Sequence, residues 1–552
     1  MKRFYLAAIG LLVMFAVSAQ NVETADLHQP VNVNDAVVTG GVLRTQVLRD
    51  SLIMNSETGR MEKAPVVVDY LDVPVAELGS KPEEAIEAAK VARRSAMRRA
   101  NASSSLDFSD YYSGVAYYLY TFNYPSIDKH GNKVILSSLM AFPYFTESNW
   151  NDDGYRFNNI VIGCHCTITS NKECPSMYTA SGAFDSDVNM MQYYASWGKG
   201  ARKAKDDPAY YNVLIMPDYE GYGVSKDRPH PYLYQELTAR QVIDGVRYGL
   251  ALFKQGRFTG KSESVSPQWA QSSDAFRYGK FFSIGVSQGG SVAMAVQRFI
   301  EQNNLTEEFP FKGSICADGP YDPVATLKYY MKEDTGSGHK AGELTMPVAI
   351  ALIIKGMLDT NPLMMKYKPT DFFSQLFLDT GILTMIADKQ YPSLEKTTDD
   401  VKDHLENLAR YDKYKNLLTS DGRANLEYVL TPRGWDYMTK LAKGEELPDY
   451  EEMNDLISAL ESNNLTKGWI PQHPICLFHS MRDTVVPYPN CVNARDVFHS
   501  MVTLYVLDIY TSKDHVKACA DFMFNAWGTS PDIKFIRTLF NYGNNQYPPY
   551  NN

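Results

Sequence analysis

Hydrophobic and polar positions divide the chain into three kinds of sequence. From about Leu106, short runs of β-branched and aromatic residues alternate with longer stretches of helical periodicity, a pattern typical of an α/β sheet. Residues 20–105 are polar and weakly periodic, apart from a helical stretch over Lys81–Ala100. Between Asp318 and His473 the alternation stops and the pattern is helical. Because this helical segment interrupts the sheet pattern and has the size of a domain, we predict that it is a cap inserted into the fold.

The α/β part predicts a mostly parallel, doubly wound sheet. Its first two strands form an antiparallel pair, and the later strands are short and apolar with helices between them, as in parallel sheets that are covered on both faces. The predicted strands are Val115–Phe122, Lys133–Phe142, Asn159–Cys164, Asn212–Met216, Lys280–Gly285, Phe311–Ala317, Pro474–His479 and Leu504–Ile509. The predicted helices between them are Val188–Gly198, Glu236–Phe253 and Gly289–Glu301.

The cap is predicted to be mainly helical. Its predicted helices are Met346–Leu358, Asp371–Ile386, Asp399–Leu417, Leu426–Leu430 and Tyr450–Glu461. The apolar blocks Pro347–Ile354 and Leu376–Leu378 allow two interpretations, an apolar substrate pocket or the core of the cap itself. The predicted organisation is therefore a signal peptide (1–19), a polar extension (20–105), a core in two parts (106–318 and 473–552) and the cap (319–472).

The first residues have the order of a secretory signal peptide. Lys2 and Arg3 precede an apolar run from Phe4 to Val17, and small residues follow as far as Ala19, where a signal peptidase would cut. The run is shorter than the roughly 20 residues that a membrane span needs. We therefore predict cleavage near Ala19 and export to the periplasm or the cell exterior, without a stable membrane span.

Composition and charge exclude several classes of protein. The shares of hydrophobic residues (44%) and charged residues (21%) are those of a globular protein. The formal net charge of −10 argues against a nucleic-acid partner, which requires a basic surface. The cluster Cys164-His165-Cys166 has no second pair of ligands at the spacing of a zinc site, so we predict neither a metal nor an organic cofactor. Cys174 is a candidate for a local disulfide with Cys164 or Cys166.

The motif Gly285-Val286-Ser287-Gln288-Gly289 carries the strongest chemical signal. It follows a predicted strand and precedes a predicted helix, which is the context that G-x-S-x-G requires. Such a turn projects the serine hydroxyl above the sheet, and only glycine leaves room on either side of it. We therefore predict that Ser287 is a nucleophile, and that Gln288 N–H at the helix N-terminus stabilises an anion there.

A serine nucleophile needs a base, and the base needs an acid that orients it. In a sheet of this type the acid follows a late strand and the histidine follows the last strand. Asp483 comes just after Pro474–His479, and His515 follows Leu504–Ile509, so we predict these two residues as acid and base. The other candidates are less suitable in position: His165, His230, His473, His479, His499, Asp508 and Asp514.

A second N–H donor for the oxyanion is expected from a loop after an early strand. The turn Gly163–Thr167, which contains Cys166, and the turn Pro217–Gly223, which contains Asp218, both qualify. The residues alone leave this choice open.

The order Ser287, Asp483, His515, with the turn around the serine and the inserted cap, resembles the α/β-hydrolases. More narrowly, three segments are similar to the secretory lipase family, whose lipase-A-like members carry a D-x-E-G turn: Pro217-Asp218-Tyr219-Glu220-Gly221-Tyr222-Gly223, His230-Pro231-Tyr232-Leu233 and Asp318-Gly319-Pro320-Tyr321-Asp322. The resemblance implies an α/β-hydrolase fold over roughly residues 110–552. It also implies that Asp218 supplies the second oxyanion donor beside Gln288, with Cys166 as the alternative. Gln288 departs from the glycine that lipase-A-like members often have.

These expectations describe an exported serine hydrolase that cleaves small-molecule or lipid carboxylic esters through an acyl-enzyme. One alternative is a peptidase of the same fold, in which the cap acids Glu451, Glu452 and Asp455 bind a peptide terminus. Others are an esterase acting on acylated polysaccharide and a non-catalytic binding protein on a hydrolase scaffold.

Overall fold

The computed structural model describes residues 27–54, 61–78, 84–85, 87–91, 111–177, 211–258, 275–389, 394–498, 504–507, 514–525 and 540. The predicted signal peptide, the predicted helix Val188–Gly198 and most of Lys81–Ala100 lie outside these residues. Within them, no helix combines the length and the apolar character that crossing a bilayer demands.

One large sheet organises the described part of the chain. Its strands are β1 Val37–Met54, β2 Met61–Pro74, β3 Tyr111–Ile127, β4 Lys133–Pro143, β5 Ile160–Cys164, β6 Val213–Pro217, β7 Phe281–Val286, β8 Phe311–Ala317, β11 Ile475–Phe478 and β12 Leu504–Leu507. A separate small ladder pairs β9 Glu343–Leu344 with β10 Ala424–Asn425. The strand order of the large sheet is β12-β11-β8-β7-β5-β6-β4-β3-β1-β2.

The sheet has the predicted parallel and antiparallel halves. Strands β5, β6, β7, β8, β11 and β12 pair in parallel, and β3 and β4 form the predicted antiparallel pair. All eight predicted strands are present, with bounds that differ by a few residues. The predicted fold class is therefore confirmed.

Two strands, β1 and β2, fall inside the segment that was expected to be a polar extension. They form a long antiparallel hairpin, and β1 also pairs with β3, so the hairpin continues the sheet. The hydrophobic pattern did not predict them because a hairpin at the end of a sheet can carry many polar residues. One of these is Arg44, which is buried and bound in a bidentate ion pair to Asp72 at 2.6 and 2.7 Å.

The helices are α1 Glu147–Asn151, α2 Gln235–Lys254, α3 Gln288–Gln302, α4 Pro323–Tyr330, α5 Val348–Thr360, α6 Pro369–Phe372, α7 Gln375–Leu378, α8 Ile382–Ala387, α9 Leu394–Ala409, α10 Leu426–Val429, α11 Pro432–Lys443, α12 Glu451–Ser462, α13 Pro489–Phe498 and α14 His515–Asn525. The predicted single helix Asp371–Ile386 is wrong, because the structure has three short helices there. Ser374 caps α7 by accepting from Phe377 N–H, and Gly381 has a φ of 76° before α8. Helix α11 was not predicted, although Pro432 at its start and Gly444 at its end are ordinary boundary signals.

The parallel strands of the sheet are buried on both faces, as their apolar residues require. In β7, Phe281 packs into the core that contains α2 and α3, whereas Phe282, Ile284 and Val286 face the opposite core with α14. The cap has a core of its own, which includes Val348, Ile350, Ile353 and Ile354. The apolar block Pro347–Ile354 therefore mainly packs the cap, as the second of the two interpretations expected.

Candidate active site

Ser287 lies in a strained turn between β7 and α3. Its φ of 53° and ψ of −125° are rare for a residue with a side chain and cost about 1–3 kcal/mol. The turn is tight on both sides: a Cβ at Gly285 would lie 2.2 Å from Gly289 O, and a Cβ at Gly289 would lie 2.0 Å from Cys164 O. A side chain at either position would therefore force the turn to move, for the steric reason that the motif predicts.

Ser287, His515 and Asp483 form one chain of hydrogen bonds. Ser287 Oγ is 2.9 Å from His515 Nε2, and His515 Nδ1 is 2.5 Å from Asp483 Oδ2. The second carboxylate oxygen, Asp483 Oδ1, accepts from the N–H groups of Val485 (2.9 Å) and Val486 (2.8 Å). The structure thus brings the three predicted residues together and holds the acid by both of its oxygens.

The surroundings of His515 favour its protonated form. Burial by itself lowers the pKa of the imidazole, but the charge of Asp483 and the hydrogen bond to it outweigh burial, and the pKa lies well above its usual value. An imidazole in this setting can take up a proton from Ser287 Oγ and be stabilised as imidazolium.

The two candidates for the second oxyanion donor differ in their position. Asp218 N–H donates to Ser137 O at 3.0 Å, so it is engaged between β6 and β4, and β6 is not adjacent to β7. Strand β5 is adjacent to β7, and the loop after it lies against the serine turn, since a Cβ at Gly289 would lie 2.7 Å from His165 O. The geometry therefore does not support Asp218 as the donor, and Cys166 stays a prediction.

Asp218 instead fixes the loops beside the site. Its buried carboxyl accepts from Ser137 Oγ (2.5 Å), Ser176 Oγ (2.5 Å) and Ser176 N–H (2.7 Å). Burial raises the pKa of this carboxyl. A Cβ at Gly223 would lie 2.0 Å from Asp218 Oδ2, which explains the glycine two residues after the D-x-E-G turn.

His230 orients the side chain of Gln288. His230 Nδ1 bonds to the carbonyl of Glu220 at 2.9 Å, so it carries the proton, and His230 Nε2 accepts from Gln288 Nε2 at 2.7 Å. Burial lowers the pKa of His230 to about 3, which keeps the ring neutral. Sequence reasoning did not find this role, because the two residues are far apart in the chain.

The other rejected candidates have partners away from Ser287. The ring of His165 lies between Cys166 O and Asp218 O, and His473 contacts Glu301. His479 Nε2 donates to Val486 O. Asp514 accepts from Lys517 N–H. His499 and Asp508 lie outside the described residues. Cys174 is a free thiol, so the local disulfide considered for it is not formed.

The cap acids considered for a peptide clamp are bound to cations of the cap. Lys366 Nζ contacts Glu451 at 2.7 Å and Asp455 at 2.9 Å. Arg433 contacts Glu452 at 3.0 Å. Each of these acids is therefore in contact with a cation of the cap rather than without a partner.

Known structures with similar folds are esterases and hydrolases. The rice cell wall degrading esterase LipA from Xanthomonas oryzae is 18% identical, with a TM-score of 0.51 over 78% of this chain and 90% of that chain. A Legionella pneumophila protein assigned as a hydrolase is 16% identical, with a TM-score of 0.53 over 79% of this chain and 91% of that chain. Candida antarctica lipase A is 12% identical, with a TM-score of 0.46 over 78% of each chain. No protein-family model matches the sequence, and no curated protein matches it.

The sheet order and the similarity to the Xanthomonas oryzae and Legionella pneumophila structures define the class of fold. The chain has an α/β-hydrolase fold.

Proposed function

We propose that this protein is an exported serine hydrolase of carboxylic esters that works through an acyl-enzyme. The observation that carries the proposal is the hydrogen-bonded chain from Ser287 Oγ through His515 to Asp483. Ser287 lies at the end of the parallel strands, on a strained turn. Strain of this kind is typical of functional sites.

In the proposed mechanism each residue acts through an atom that the geometry already orients. Ser287 Oγ attacks the ester carbonyl while His515 Nε2 takes its proton, and Asp483 stabilises the imidazolium. His515 then returns the proton to the leaving alcohol, and the same steps with water release the acid. No metal or organic cofactor enters this mechanism.

The negative oxygen of the tetrahedral intermediate needs N–H donors. Gln288 is the first residue of α3, so its N–H belongs to the helix-end groups that have no partner within the helix. The loop that contains Cys166 lies against the same turn. We assign the oxyanion hole to Gln288 N–H and Cys166 N–H.

Labelling with a fluorophosphonate probe tests the nucleophile. We expect the purified wild type to be labelled, Ser287→Ala to lose all labelling, and Ser283→Ala to keep it. Ser283 is a matched control because it is also a buried serine of β7, whose Oγ donates to Ala293 O. Labelling that persists in Ser287→Ala contradicts the assignment, and an unlabelled wild type favours the binding-protein alternative.

An ester panel from acetate to palmitate, run beside aminoacyl and prolyl amides, tests the reaction class. We expect fast ester cleavage, because the acids considered for peptide binding are already paired within the cap. Preferential amide cleavage supports the peptidase alternative. Because the similar Xanthomonas oryzae protein is a cell wall degrading esterase, the panel includes acetylated and feruloylated polysaccharides.

Export is proposed from the first 19 residues of the sequence. We expect the mature protein in the periplasm or the medium to begin at Gln20, which N-terminal sequencing measures. An intact Met1 in the exported protein contradicts cleavage.

A further inference from the structure

Asp318 lies at the same end of the sheet as the three residues described above. It directly follows β8, whose last residue Ala317 is paired with Val286 of β7 on one side and Phe478 of β11 on the other. Asp318 N–H donates to Phe478 O at 2.8 Å. Asp318 therefore stands between the strand that carries Ser287 and the strand that leads to Asp483.

The conformation and burial of Asp318 are both costly. Its φ of 46° is in the left-handed region, which is rare for residues with side chains. The side chain is fully buried, and Oδ1 accepts from Ser480 N–H at 2.9 Å. Among the described residues, Asp318 Oδ2 has no hydrogen-bond partner. A buried carboxyl oxygen without a partner is destabilising, so a purely structural role does not explain this residue.

The groups that face Asp318 include two residues of the proposed triad. One ligand-type atom from each of Asp318, His479 and Asp483 lies within 4.8 Å of the other two, and all three residues are buried. From α14, His515 interacts electrostatically with Asp318, and so does Cys519. The ring of Tyr321 is the further titratable group beside it.

His479 does not neutralise this cluster through a hydrogen bond. Its Nε2 donates to the carbonyl of Val486 at 2.7 Å and lies 3.8 Å from Asp483 Oδ2, beyond hydrogen-bond distance. Its Nδ1 has no partner among the described residues. Asp483 Oδ2 is already bound to His515, so the three side chains are better explained as part of the acid group than as a cation site.

We propose that Asp318 is a positioning residue of the proposed triad, whose carboxylate places a second negative charge behind the Asp483–His515 pair and stabilises protonated His515. This inference rests on the proposed function. Burial raises the pKa of Asp318 to about 6, an effect that Asp483 strengthens and His479 opposes. The second charge therefore appears as the pH rises toward neutrality, and it holds the proton on His515 to higher pH.

The substitution Asp318→Asn removes the charge and keeps an oxygen that can accept from Ser480 N–H. Asp322→Asn is the matched control, because Asp322 is a mostly buried acid of the same loop whose carboxylate caps α4 through Ala325 N–H at 3.0 Å. The readout is the pKa of the His515 ring, measured by NMR on protein with labelled histidines in a Ser287→Ala background. His515→Gln identifies the resonance.

We expect Asp318→Asn to lower the pKa of His515 by about one unit and Asp322→Asn to leave it unchanged. In the active enzyme the acid limb of kcat/KM should move to lower pH by the same amount. An unchanged His515 pKa in folded Asp318→Asn overturns the proposal. If Asp318→Asn does not fold, the titration curve of His515 in the Ser287→Ala protein tests the proposal instead. We expect this curve to show a second step from the titration of Asp318. A single-step curve overturns the proposal.

The NMR readout needs no substrate, so the two hypotheses fail separately. A wild type without ester turnover counts against the proposed function, whereas an invariant His515 pKa counts against the role of Asp318.

Discussion

Gly289→Ala tests whether the packing of the serine turn controls the chemistry. The new Cβ would lie 2.0 Å from Cys164 O and 2.7 Å from His165 O, whereas ordinary contact begins near 3.4 Å. The turn or the loop must therefore move by about 1.4 Å, which is the difference between 3.4 and 2.0 Å. Overpacking of this kind costs about 1–3 kcal/mol of stability. A displacement of about 1 Å near reacting atoms lowers the rate about 10²-fold.

We expect Gly289→Ala to remain folded and to lose at least about 10²-fold in kcat/KM for p-nitrophenyl butyrate. Thermal unfolding measures the stability of the same samples. Gly434→Ala is the matched control, because Gly434 also lies in the first turn of a helix but its Cβ would be no closer than 3.2 Å to any neighbour, the nearest being the Thr431 hydroxyl. A folded Gly289→Ala enzyme with the kcat/KM of the wild type refutes the reasoning.

Three further substitutions test separate parts of the structure. Asp483→Asn should lower kcat about 10⁴-fold and move the acid limb of the pH profile to lower pH, because the charge of Asp483 raises the pKa of His515; an unmoved limb contradicts this. Gln288→Ala keeps the backbone N–H, so it should lower kcat/KM far less than the 10²–10³-fold typical of a lost oxyanion donor. It removes the hydrogen bond to His230 and should therefore reduce the free energy of unfolding by about 1–3 kcal/mol. Asp72→Ala leaves buried Arg44 without its carboxylate and should reduce the free energy of urea unfolding by about 3 kcal/mol; no change would show that the β1–β2 hairpin does not unfold with the sheet.

The hydrophobic pattern predicted best where burial is complete. Strands β5 to β8 are buried on both faces except at Lys312, so their other residues are apolar or small, and the run is visible in the sequence. The hairpin β1–β2 was missed because its stability depends on pairing with β3 and on the distant contact between Arg44 and Asp72. The break in the predicted helix Asp371–Ile386 was missed because apolar periodicity outweighed the local signals of Ser374 and Gly381.

The sequence by itself predicted the residues that we propose for serine chemistry. The motif around Ser287 follows from steric limits on one tight turn, and the positions of Asp483 and His515 follow from the order of strands along the chain. Both are local or topological properties, so they can be recognised without coordinates.

Only the tertiary structure decided which groups meet. The pairing of strands takes the Asp218 N–H into the sheet and places the Cys166 loop beside Ser287. It also brings Asp318 against the acid group and His230 against Gln288. These contacts join residues that are distant in the chain, and the burial that changes their pKa values exists only when the strands are packed.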